Sequence, residues 1–146
     1  MESRYVPLLI GGFIPALCYG LASVLQKWSA REGGSVSAYL IAFGLATFLV
    51  GFLSRSVLAE SASPPRSFVI AGLGGVAFSV GAGLISLALL RYNAPLSQLA
   101  PLYNMNLLIS VGLGLLVFSE FRDVQLSRVL VGTVLILVGG WFVSGS

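Results

Sequence analysis

Histidine is absent, cysteine occurs once, and only 9% of the residues are charged. A soluble domain usually carries about 25% charged residues. With 57% hydrophobic residues and a mean hydropathy of +0.98, the composition excludes an ordinary water-soluble globule. Without histidine, and with Cys18 alone, there is no zinc set, no disulfide framework and no Cys–His nucleophile pair. No cluster of acids takes their place, which removes most general-base catalysis. The chain therefore reads as no enzyme, and it calls for no cofactor and no metal.

What is present is glycine, at 18 residues, and aromatics at 11%. Both fit close-packed membrane helices with interfacial anchors. The rare charges act as punctuation. None falls at 5–26, 33–54, 67–90, 92–119 or 129–146, and a helix needs about 20 apolar residues to cross a bilayer. These stretches predict an all-α integral membrane protein, a five-transmembrane-helix bundle forming a single membrane domain over 1–146. Its helices are expected at about 6–27, 36–54, 67–90, 96–118 and 127–144. Pro7 and Pro95 sit near helix starts, where a missing N–H costs nothing. Loop two, with Ser61-Ala62-Ser63-Pro64-Pro65, is the only linker of soluble character, while Arg91-Tyr92-Asn93-Ala94-Pro95 is tight and makes helices three and four antiparallel neighbours. The first apolar run is too long for the core of a cleaved signal peptide, and its lead-in, Met1 to Tyr5, mixes one Glu with one Arg.

Five spans put the termini on opposite sides. One side carries Arg4, Arg55, Arg66, Arg122 and Arg128; the other carries Lys27, Arg31 and Arg91. That balance favours a cytoplasmic N-terminus and permits dual insertion. The formal net charge of +3 reflects these flanks, and with no basic run or aromatic-basic patch the chain is expected to bind no nucleic acid.

Small residues recur, in helices one and three at four-residue spacing. Helix one has Gly12, Ala16 and Gly20, helix three has Ala71, Gly75, Ser79 and Gly83, and helix five has Gly132, Gly139 and Gly140. These are read as packing seams or a dimer surface. Polar residues inside the spans say more, because an unpartnered polar group in hydrocarbon costs roughly 2–7 kcal/mol. On helix one, Tyr19, Ser23 and Gln26 share a face; on helix four, Tyr103, Asn106 and Ser110 share another. Ser97 and Asn104 lie on nearly the opposite side of helix four, beside Gln98. Tyr19, Ser23, Gln26, Gln98, Tyr103, Asn104, Asn106 and Ser110 are the candidate substrate-binding residues, with interhelical hydrogen bonding as the competing role for each. Pro15 and Pro101 lie inside helices one and four and are candidate hinges. Helices one and four carry both the prolines and the polar stripes, and form the expected working pair.

Lys27 and Glu120 are interfacial charges at helix ends, on opposite sides by this topology. Glu120 is therefore expected to meet Arg4, Arg55 or Arg128 as a structural pair. No acid lies deep in a span, which argues against a proton-coupled pump.

Three stretches carry a family resemblance. Ala16-Leu17-Cys18-Tyr19-Gly20 leading to Gln26-Lys27 is one; Ala94-Pro95-Leu96-Ser97, Pro101 and the closing Ser119-Glu120 form the second. Leu130-Val131-Gly132, then Leu135-Ile136-Leu137-Val138-Gly139, is the third. In this order and spacing the chain resembles a single five-helix repeat of the EamA-like branch of the drug/metabolite transporter superfamily. Members usually hold two such repeats, and their second helix often carries an Arg where this sequence reads Tyr39-Leu40-Ile41-Ala42-Phe43, so anionic substrates are not implied. Two fused odd-numbered repeats insert in opposite senses. A single repeat recovers that symmetry by pairing with an opposite-facing copy or a related five-helix partner.

The expectation is therefore a small transporter in the bacterial inner membrane, surrounded by lipid. It would move a neutral or weakly charged polar metabolite by alternating access, as a dimer and preferably an antiparallel one. A lipid-linked sugar flippase subunit, and a non-transporting membrane subunit of a larger complex, are the alternatives.

Overall fold

The computed structural model describes residues 5–58, 62–118 and 125–144. Their secondary structure is all helical: α1 (Tyr5–Leu8), a π turn (Leu9–Phe13), α2 (Ile14–Arg31), α3 (Val36–Val57), α4 (Pro65–Arg91), α5 (Leu96–Tyr103), α6 (Asn106–Val117) and α7 (Leu126–Ser144). Five stretches are long and apolar enough to cross a membrane: Leu9–Arg31, Val36–Val57, Pro65–Arg91, Leu96–Val117 and Leu126–Val143. The chain divides into two compact units, Met1–Asn93 and Ala94–Ser146.

In the first unit, α4 packs against both α2 and α3. Pro15 shapes the entry to α2. It has no N–H to give the Gly11 carbonyl, and its ring would press on that oxygen in a regular α-helix. The chain widens instead into the π turn, and Ile14 N–H reaches five residues back to the Leu9 carbonyl.

The other end of α2 runs to Arg31, past the expected stop near 27, and a glycine pair ends it. Gly33, with φ of 82°, adopts the left-handed conformation that a residue just past a helix end requires. Its N–H donates to the Ala30 carbonyl at 3.3 Å, and Gly34 N–H to the Ser29 carbonyl at 3.0 Å. This is the paired Schellman closure. Gly34 is also compulsory for space, because a Cβ there would lie 2.7 Å from the Ser29 carbonyl oxygen. One residue on, the Ser35 hydroxyl accepts from Ala38 N–H at 3.1 Å and caps α3. Arg31 and Val36 are thus joined by a turn with a defined stop for α2 and a defined start for α3.

Pro65 opens α4 at its first turn, where its fixed φ is already helical. At the far end Asn93 takes φ of 47°, the left-handed position next most often filled by asparagine.

In the second unit the fourth span is interrupted. Met105 N–H reaches the Leu102 carbonyl at 3.1 Å, and Leu107 and Leu108 N–H reach Asn104 and Met105 at 3.0 Å each. These three-residue bonds tighten the chain between α5 and α6. Asn104 and Asn106 flank the break, and their side chains compete for backbone groups that a helix needs. Pro101 lies inside α5, three residues before the break. Here α5 packs against α7, and Gly140 makes the close approach: a Cβ at Gly140 would sit 3.5 Å from Pro101 Cβ.

Large apolar side chains point outward in both units; Phe48, Phe68 and Leu116 are each more than two-thirds exposed. The buried described residues are few and include Gln26, Ser86 and Thr133. A water-soluble bundle has the opposite arrangement.

Candidate functional site

The first unit is built around a polar contact. Ala82, Ser86 and Leu89 follow one another at four- and three-residue spacing on α4, and all three are buried. They form one stripe, and Gln26 of α2 meets it. Gln26 Nε2 donates to Ser86 Oγ at 2.8 Å and to the Ala82 carbonyl at 3.2 Å. Gln26 is only 8% exposed and Ser86 3%. No buried side-chain nitrogen or oxygen among the described residues lacks a partner.

Gln26 also lines a cleft of about 450 Å³ between α2 and α3. Its polar lining is Gln26, Ser29 and Tyr39; Ala22, Ala38 and Ala42 keep the walls thin. Phe43 closes one side. Its ring stacks on Tyr39 at 6.0 Å between centroids and on Phe78 of α4 at 5.7 Å. The cleft volume falls in the range of small-molecule sites, about 300–1,000 Å³. None of the lining residues is charged.

The other expected site residues are distributed as follows. Tyr19 is 67% exposed, and Ser23 Oγ donates to the Tyr19 carbonyl at 2.9 Å, one turn back along its own helix. A hydroxyl bonded in that way needs no neighbouring helix; Thr47, Ser54 and Thr133 do the same toward Phe43, Val50 and Val129. In the second unit Gln98 and Tyr103 are half-buried, while Asn104, Asn106 and Ser110 are exposed. Lys27 is half-buried, and Trp28 Nε1 donates to Glu32 Oε1 at 3.1 Å beside it. Pro15 follows the π turn and Pro101 meets Gly140, as described above. Glu120, with Arg4 and Arg122, lies outside the described residues.

Of the small-residue stripes, Gly83 is covered by Leu40 Cδ1 at 3.4 Å and Gly140 by Pro101, while Gly12, Gly20, Gly75, Gly132 and Gly139 have nothing within 4 Å of a Cβ position. Sequence reasoning missed Ser86, Ser29, Tyr39 and Phe43. Ser86 was within reach, since it lies seven residues after Ser79 and so continues the small-residue face of helix three. Tyr39 and Phe43 gain their meaning from tertiary structure: α2 and α3 both pack on α4, which brings them to the cleft that Gln26 lines.

No family model, no curated protein and no solved structure matches this chain.

Proposed function

We propose that the chain is an integral membrane protein of the bacterial plasma membrane, one five-helix repeat of the EamA-like drug/metabolite transporter type. It carries a neutral or weakly charged polar metabolite by alternating access. The observation that carries this reading is the cleft at Gln26, an uncharged and largely apolar cleft into which Gln26, Ser29 and Tyr39 bring polar groups, set among helices whose other faces are apolar. In hydrocarbon, polar side chains belong against protein or a wet cavity. Amide and hydroxyl groups suit a neutral solute better than an ion, which would need a counter-charge.

The working form is a dimer, antiparallel by preference, with the N-terminus cytoplasmic in the favoured insertion. Support comes from the modest five-to-three bias of Lys and Arg between the two sides, which permits insertion in either sense, and from the Gly12–Ala16–Gly20 stripe. At Gly12 and Gly20 that stripe is bare of neighbours and lets a second helix approach closely.

The test is solute loss from proteoliposomes preloaded with a mixture of neutral polar metabolites, read by mass spectrometry. The reading expects one solute class to leave only when the protein is present, with a rate that saturates. Retention of every solute, together with a fixed partner chain in purified material, would favour a non-transporting subunit.

A further inference from the structure

The orientation of Gln26 sets the polarity of the α2–α3 cleft. A primary amide has two N–H donors on nitrogen and one acceptor oxygen. The Ala82 carbonyl can only accept, so the group facing it at 3.2 Å is the amide nitrogen and not the oxygen. The same nitrogen donates to Ser86 Oγ at 2.8 Å. Both donors are thus directed to α4, and Oε1 is the polar atom of Gln26 left to serve the cleft it lines.

The rest of the cleft selects against charge. With no charged lining residue, a carboxylate would meet the amide oxygen without a counter-ion, and an ammonium would be desolvated for neutral acceptors alone. The alanine walls and the Tyr39–Phe43 stack favour a compact apolar body, aromatic bodies in particular.

We propose that the cleft binds a neutral small molecule with a compact apolar or aromatic body and one hydrogen-bond donor, held by Gln26 Oε1 and packed against Phe43 and Tyr39. The assignment rests on the transporter reading for its role and narrows that reading from polar metabolites in general to neutral donors. Ser86 is a positioning residue in it, since it touches the amide and not the ligand. Ala42 sets the room available.

A photoreactive trifluoromethyl-diazirine benzyl alcohol tests this on the full chain in lipid nanodiscs, with labelled positions mapped by mass spectrometry. Labelling at 22–29 and 38–43 is read relative to labelling of α7, which cancels partitioning of the probe into lipid. The expected result is enrichment at those two segments that saturates and is competed by excess benzyl alcohol. The methyl ether of the probe, which has no donor, should show about fivefold less enrichment, the worth of one hydrogen bond, and the matching benzoate none. Ala42→Leu fills the cleft without touching the Gln26 contacts and should abolish the enrichment; Gln26→Leu should erase the difference between alcohol and ether. If Gln26→Leu does not fold, Ala42→Leu and the probe series still decide. Equal enrichment for alcohol and ether, or enrichment unchanged by Ala42→Leu, overturns the proposal. Saturable solute release from vesicles without cleft enrichment overturns it while leaving transport standing; cleft enrichment without release of any solute supports the binding site and removes the transport role.

Discussion

Gln26 and Ser86, 60 positions apart in the chain, share a 2.8 Å hydrogen bond that joins α2 to α4. Both side chains are buried, whereas most large apolar ones are exposed. The first unit therefore has a buried polar contact at its centre, between Ala82 and Leu89, and much of its hydrocarbon outside. In a bilayer, where lipid tails solvate leucine as well as protein does, such contacts and close packing hold helices together.

That bond should be measurable as a coupling. In a double-mutant cycle of Gln26→Leu and Ser86→Ala, read by reversible unfolding in mixed micelles, the expected coupling is about 0.6–1.7 kcal/mol, the span found for interhelical hydrogen bonds in membranes. Additive single-mutant effects would mean that the pair does not hold α2 on α4.

The α2–α3 turn should tolerate no side chain at either glycine. Gly33→Ala forces a Cβ into the left-handed region at about 1–2 kcal/mol. Gly34→Ala places a Cβ 2.7 Å from the Ser29 carbonyl oxygen, so the turn must open. Gly44, with nothing within 4 Å of a Cβ, is the matched control, and Gly44→Ala should leave the unfolding midpoint unchanged or raise it. A midpoint indifferent to both turn substitutions would contradict the Schellman closure.

In the second unit, Gly139 and Gly140 are neighbours in sequence with different surroundings. A Cβ at Gly140 would meet Pro101 at 3.5 Å, whereas one at Gly139 meets nothing. Gly140→Ala should therefore be tolerated, and Gly140→Leu should cost about 1–3 kcal/mol through overpacking. Gly139→Leu should be near neutral in the isolated chain. Thermal unfolding in nanodiscs ranks the three.

Pro15→Ala restores an N–H that can reach the Gly11 carbonyl, and the π turn should then close to regular α-helix. Hydrogen exchange over 9–15 should slow by about fivefold for the added bond. Unchanged exchange would mean that Pro15 is not the cause of the wide turn.

Much of this architecture is legible in the sequence because it rests on hydropathy. The charges that interrupt the apolar stretches, such as Arg55, Arg66 and Arg91, fall at helix ends, where a charged group can reach water. Pro101 announces trouble in the fourth span by its missing N–H, although the tightening falls at Asn104–Met105, where two asparagines weaken the helix. The end of α2 was also written in Gly33-Gly34-Ser35, but charge spacing alone stops at Lys27 and overlooks it. The site is less legible for a physical reason. Tyr19, Ser23 and Gln26 form one stripe by period, yet they differ in use: Gln26 bonds Ser86 of α4, Ser23 donates to the Tyr19 carbonyl of its own helix, and Tyr19 points outward. Periodicity gives a face; it does not say which neighbour covers each turn of that face. Tyr39 and Phe43 enter the cleft because α2 and α3 both pack on α4, an arrangement that no single helix encodes.

The most direct test of a five-span chain working as an opposite-facing pair is the orientation of its C-terminal end. A reporter cysteine is added after Ser146, with Cys18, which is exposed, replaced by alanine. A membrane-impermeant maleimide is then applied to intact cells and, separately, to opened ones. The account predicts two pools, one labelled from outside and one only after opening. A single pool on either side would contradict the antiparallel homodimer and require a separate partner of opposite orientation.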